Sequence, residues 1–104
     1  MEVICIDGNF SAEQLDFYNA HGVVVPKKDS LYNIRNVIKN SSGGVGLLLE
    51  ELVNPLIPIK HSILGISNME PNWNINRFRK LSGEDVLYDE VVELLKNVKE
   101  LKNN

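Results

Sequence analysis

The side chains that could do chemistry in this 104-residue chain are few and scattered. They are Cys5, His21, His61, the pair Glu50-Glu51, the run SSGGVG at 41–46 and the stretch EPNWNINRFRKL at 70–81. A metal centre needs several His, Cys or carboxylate ligands at compatible spacing. His21 and His61 lie far apart, and neither has a ligand pattern beside it. His21 reads as the end of a helix and His61 as an exposed loop residue. Cys5 sits inside the apolar run VICID with nothing basic beside it to form a thiolate, so it reads as a buried, inert thiol. The SSGGVG run has the glycines of a phosphate cradle. It lacks the following Lys-Ser/Thr and leads into a strand rather than a helix, so it reads as a hairpin tip. Glu50 and Glu51 cannot act together as acid and base, because adjacent strand residues point to opposite faces. No nucleophile and base are paired anywhere, and neither a catalytic residue, a metal nor a cofactor is expected.

EPNWNINRFRKL holds the single tryptophan, one phenylalanine and two arginines. As a nucleic-acid surface, Trp73 or Phe78 would stack on a base while Arg77 and Arg79 hold phosphates. As structure, Trp73 and Ile75 face a core, and Phe78 is out of phase with them for a plain strand. A single 3₁₀ turn over residues 74–77 restores the phase and swings Phe78 inward. Arg77 and Arg79 then point outward or pair with Glu50 or Glu51.

The totals narrow the field. Hydrophobic residues at 43% and charged residues at 24% suit a folded domain and not a disordered chain. The length suits one domain. A net charge of −3 argues against non-specific nucleic-acid binding, without excluding a local basic patch. A single cysteine forbids an intrachain disulfide and suits a reducing cytoplasm, the expected location. The start, MEVICIDGNF, has no signal-peptide pattern, and no apolar run approaches the roughly 18–20 residues of a membrane span.

The elements that must position these residues follow from local pattern. VICID is a first strand closed by the turn signal Asp7-Gly8-Asn9. Ser11 and Gln14 form a capping box for a short helix, with Leu15 and Tyr18 on one side and His21-Gly22 as its stop. Val23, Val24 and Val25 are apolar and β-branched, and Pro26 ends their pairing. Residues 27–30 form a polar turn before a long strand at 31–39. Tyr32 and Ile34 share one face of it and Asn33 and Arg35 the other. Val37 is out of phase, which predicts a bulge or twist near Asn36. Residues 40–44 are a hairpin loop. VGLLLEEL at 45–52 lacks alternation, as a strand buried on both faces does. Residues 54–69 carry Pro55 and Pro58 among many aliphatics and predict an irregular ordered excursion with one short strand. Ser82 is a candidate N-cap for a helix from about Glu84 to Leu101, whose Leu87, Val91, Leu94, Val98 and Leu101 are spaced as an a/d seam.

Four segments in order, VICID, VPKKDSLYNIRNV, GVGLLLEELVNP and EPNWNINRFRKL, resemble small Bacteroides-type proteins encoded by bacteriophages and mobile elements. In those, a VVCID-like strand leads to a KKG-x-x-Y-T-V-type strand, a G-x-x-L-E-E-type strand and an aromatic-x-x-x-RF-x-x ending. The resemblance covers about residues 1–81 with gaps. It implies an SH3-type barrel with a 3₁₀ turn before its final strand, and no settled activity. Asp29-Ser30 replaces the usual glycine-containing turn. The 54–69 excursion is longer than the pattern implies, and the C-terminal helix lies beyond it.

Together these readings predict a mainly β (α+β) fold. Residues 1–81 form a small SH3-like barrel, with a helix at 11–21 and the excursion at 54–69. Residues 82–104 form an amphipathic helix packed on the barrel or on a second copy, with the seam residues as candidate interface. The expected function is a non-enzymatic binding module acting on a host or phage protein, with Arg35, Arg77, Arg79 and His61 as candidate contacts. A small-ligand (nucleotide-signal) sequestering protein, its pocket between subunits or under the excursion, is the second expectation. A nucleic-acid-binding barrel is the third.

Overall fold

The computed structural model describes residues 1–40, 42–61 and 65–102, and the side chains of these except 61 and 98–102. It is a small α+β domain built mostly of strands. β1 (Glu2–Cys5), β2 (Leu31–Lys39), β3 (Val45–Leu49), β6 (Trp73–Asn74) and β7 (Phe78–Lys80) form one antiparallel sheet in the order β6-β3-β2-β1-β7. β4 (Ile57–His61) and β5 (Gly65–Met69) pair only with each other, as a two-stranded ribbon. Helix α1 (Ala12–Ala20) follows β1, and α2 (Tyr88–Lys102) ends the described chain.

Residues directly opposite each other in an antiparallel pair point to the same face. The pairs Val3/Tyr32, Cys5/Phe78, Ile34/Leu49, Val37/Leu47 and Leu47/Trp73 therefore lie on one side of the sheet. That side is the core: all of these are buried except Val37, which packs against it. The bulge expected in β2 is present, with the register shifting between Ile34 and Asn36. The extra residue, Arg35, is what returns Val37 to the core face. Leu48 points the other way and is also buried, so β3 is covered on both faces as its unbroken apolar run predicts.

The 3₁₀ turn is formed by Ile75–Arg77 and is fastened at both ends. The Asn74 side chain accepts from the Asn76 amide, and the Phe78 amide donates to the Ile75 carbonyl. Trp73 and Phe78 are 2% and 0% exposed, with Ile75 packed beside them. Burial of either large ring is worth roughly 2–3 kcal/mol. The same turn carries the chain from one edge of the sheet to the other, yet the sheet is not closed into a barrel. β6 pairs with β3 and β7 with β1, and no described ladder joins β6 to β7.

Other expectations are corrected. The 54–69 excursion forms two strands, not one. They pair in register from Ile57↔Met69 to His61↔Gly65, with residues 62–64 outside the described chain. Pro58 does not prevent this, since a lone ribbon is all edge, where a strand proline is tolerated. Residues 23–25 form no strand. Val23 is buried, and Val24 is held through the Asn54 amide, which bonds both its N–H and its C=O. α2 starts at Tyr88, later than Glu84. Ser82 is not its cap: Ser82–Asp85 turns back, Gly83 adopts φ 92°, and Asp85 bridges to Arg79. The expected seam is split accordingly. Val91 is buried and Leu95 packs on the core, while Leu87 and Leu94 are exposed. The Val98 and Leu101 side chains lie outside the described set.

Candidate functional site

α1 is a helix that buries none of its residues. Its capping box is complete, with Ser11 Oγ accepting from the Gln14 amide and Gln14 Oε1 from the Ser11 amide. Such a helix is held by its ends and by one aromatic anchor. Tyr18 stands edge-on to Trp73 at 5.5 Å and to Phe10 at 6.1 Å, and Phe10 stands edge-on to Trp73 at 5.8 Å. Edge-to-face packing of this kind adds about 0.5–1.5 kcal/mol per pair beyond area burial. Behind it the Trp73 Nε1 is buried without a hydrogen-bond partner among the described residues. The neighbouring Phe17 is left 41% exposed, its ring 4.4 Å from the His21 ring. His21 Nδ1 bonds the Phe17 carbonyl at 2.8 Å, which ties the imidazole into the helix end.

Between this helix and the β4–β5 ribbon lies a cleft of about 430 Å³. Phe17 and Tyr18 line it from the helix, and Ile57, Pro58, Ile59, Lys60 and Ile66 from the ribbon. Lys60 is the direct cross-strand partner of Ile66. A second cavity of about 340 Å³ shares Tyr18, Ile59 and Lys60 with the first and is lined also by Asn40 and Asn72. Burial raises the pKa of the Tyr18 phenol, against a smaller opposing effect of Arg77, so the hydroxyl remains a donor at neutral pH. Leu56 and Val53, 69% and 70% exposed, lie in the segment leading into β4.

The cationic candidates are elsewhere, each engaged within the fold. Arg35 donates to the Leu49 carbonyl and pairs with Glu70 at 2.6 Å. Arg77 donates to the carbonyls of Asp7 and Asn9 and lies over the Phe10 ring. Arg79 donates to the carbonyls of Asn76 and Phe78 and pairs with Asp85. The structure does not bring the three to a common site. The His61 side chain lies outside the described set. Among the described residues, neither glutamate of the Glu50-Glu51 pair forms an ion pair with an arginine. Glu51 instead receives the Asn33 backbone and side-chain amides. Desolvation would raise its pKa, but these hydrogen bonds outweigh it and the carboxyl lies below its ordinary value. Burial raises the Cys5 pKa, against weaker opposing effects of the Asp7 carbonyl and Arg77. Among the described residues no group of three or more His, Cys, Asp or Glu could hold a metal ion. No described helix is long and apolar enough to cross a membrane.

The sequence places a candidate pocket under the 54–69 excursion or between subunits. The cleft lies against that excursion, but its other wall, α1, is not foreseen because it comes from a segment far away in the chain. One signal was available: IPIKH alternates with the period of a strand, with Ile57 and Ile59 on one face and Lys60 on the other. Compared with known proteins, the chain matches no family model, no curated protein and no solved structure.

Proposed function

We propose that this chain is a non-enzymatic binding module that grips an apolar side chain of a protein partner in the α1–ribbon cleft. The carrying observation is the exposure of Phe17 and Ile66, 41% and 69%, at the walls of that cleft. Large apolar side chains grouped around a concavity mark an interaction site more often than scattered ones do. The side chains that could do covalent or acid–base work have structural tasks instead: Cys5 is buried, Glu51 binds Asn33 and His21 closes a helix. The SH3-like reading of the sheet is part of the proposal. It is supported by the strand order and by the 3₁₀ turn that joins the two edge strands. A phage or mobile-element origin and a cytoplasmic location rest on the motif resemblance and the single cysteine.

The test is affinity capture from bacterial lysate with wild-type protein and the Phe17→Ser/Ile66→Ser double variant, at low and high salt. A protein retained by wild type at both salts and lost with the variant is the expected result. Retention that collapses as salt rises would favour the nucleic-acid reading instead. Equal capture by both proteins would count against the cleft. A second reading, sequestration of a small ligand, is favoured by one observation: the cleft volume falls in the range of roughly 300–1,000 Å³ usual for ligand sites.

A further inference from the structure

We infer that the cleft takes an amphipathic organic anion, its apolar body between Phe17 and Ile66 and its carboxylate or phosphate against Lys60, Asn40 and Asn72. The inference rests on the small-ligand reading and adds the chemistry of the ligand. The two cavities share Tyr18, Ile59 and Lys60 as lining residues, so an apolar end and a more polar end adjoin across these three side chains. Apart from Lys60 the first end is lined by aliphatic and aromatic side chains. The second end gathers donors without acceptors of their own. Lys60 has no ion-pair partner among the described residues, and the Tyr18 hydroxyl has no hydrogen bond there. The Asn40 Oδ1 is already saturated, accepting from the Ser42 amide, the Ser42 hydroxyl and the Gly44 amide, which leaves its Nδ2 to donate. The Asn72 side chain lies against Gly46, at a place only a missing Cβ allows, and has no hydrogen-bond partner among the described residues.

No carboxylate lines either cavity. Two carboxylates adjoin lining residues in sequence: Glu70 is neutralised by Arg35 and by the Asn54 amide, and Asp16, beside Phe17, lines neither cavity. The local balance is therefore one cation and several neutral donors in a chain whose net charge is −3. An anion there gains charge-assisted hydrogen bonds, and the adjoining apolar wall holds the rest of the molecule. A cationic ligand would be repelled by the Lys60 charge, and a wholly apolar one would gain nothing from those donors, which water serves equally well.

Calorimetric titration with 2-naphthoate, 2-naphthyl phosphate and neutral 2-naphthol tests this on the full chain. At least one anion should bind about tenfold tighter than 2-naphthol, the usual scale for charge-assisted hydrogen bonds. Lys60→Met should abolish that advantage while leaving 2-naphthol binding unchanged, and Phe17→Ser should weaken all three. Both replaced side chains are exposed, and thermal melts establish that the variants fold. The tighter of the two anions assigns the headgroup as carboxylate or phosphate. Equal binding of 2-naphthol and the anions, or an anion advantage that survives Lys60→Met, overturns the inference and leaves the small-ligand reading standing. Absence of binding by all three overturns both.

Discussion

The guanidinium of Arg77 lies 4.1 Å from the centre of the Phe10 ring while donating to the carbonyls of Asp7 and Asn9. One side chain from the 3₁₀ turn thus pins the loop that leads into α1, and with it the ring that supports Tyr18 and Trp73. Arg77→Ala should destabilise the fold by about 1–3 kcal/mol, since it unpairs the Asn9 carbonyl, leaves the Asp7 carbonyl only the Cys5 thiol, and removes a cation–π contact. Arg79→Ala, which loses bonds to the nearby Asn76 and Phe78 carbonyls and a pair with exposed Asp85 but no ring contact, should cost less, no more than about 1 kcal/mol. Urea unfolding of both variants checks the order. Arg79→Ala costing the more of the two would show that the loop is held by something else.

Glu70 is a junction. Its Oε2 accepts from Arg35 at 2.6 Å and from the Asn54 amide at 3.0 Å, joining the β2 bulge to the loop before β4. Glu70→Ala should destabilise by about 1.5–3 kcal/mol, because it leaves a half-buried guanidinium and an amide without their acceptor. Hydrogen exchange should quicken first at Asn54 and Val24, which this junction holds in place.

Acid should weaken the fold partly through Glu51. Its folded pKa lies below the ordinary 4.5, so its contribution is fully present above that value and is lost as pH falls through the lower, folded one. Glu51→Gln should flatten the acid limb of stability against pH, and leave the neutral region displaced by a constant amount. A parallel acid limb in wild type and variant would mean that other carboxylates carry it.

Cys5 is 0% exposed and its thiol is pushed up by burial. It should resist alkylation by a small thiol reagent at neutral pH and react fully once the chain is denatured. Rapid labelling of the native protein would show that β1 opens readily.

α2 offers a contrast on one helix. Val91→Ala should cost about 1–2.5 kcal/mol through the cavity it leaves. Leu94→Ser, at a position 43% exposed, should change the stability of a monomer by no more than about 0.5 kcal/mol. If the exposed Leu87–Leu94 stripe pairs with a second copy, Leu94→Ser should also lower the mass seen by sedimentation at high concentration.

What the amino-acid sequence by itself determined is local. The capping box at Ser11 and Gln14, the glycine after His21, the bulge in β2 and the 3₁₀ turn before Phe78 could all be read from a few adjacent residues. Each is set by backbone hydrogen bonding within one turn, or by the two-residue period of a strand. The tertiary structure decided everything that depends on which segments meet. The ribbon at 57–69 exists because Ile57–His61 pairs with Gly65–Met69, a partner that no local signal specifies. The late start of α2 follows from Ser82–Asp85 folding back on β7. Arg35, Arg77 and Arg79 look available along the chain, yet each finds acceptors from other segments or along its own backbone. The cleft is the clearest case. Phe17 and Ile66 are distant in sequence, and only packing of α1 against the aromatic cluster, with the ribbon opposite, sets them around one cleft with Lys60.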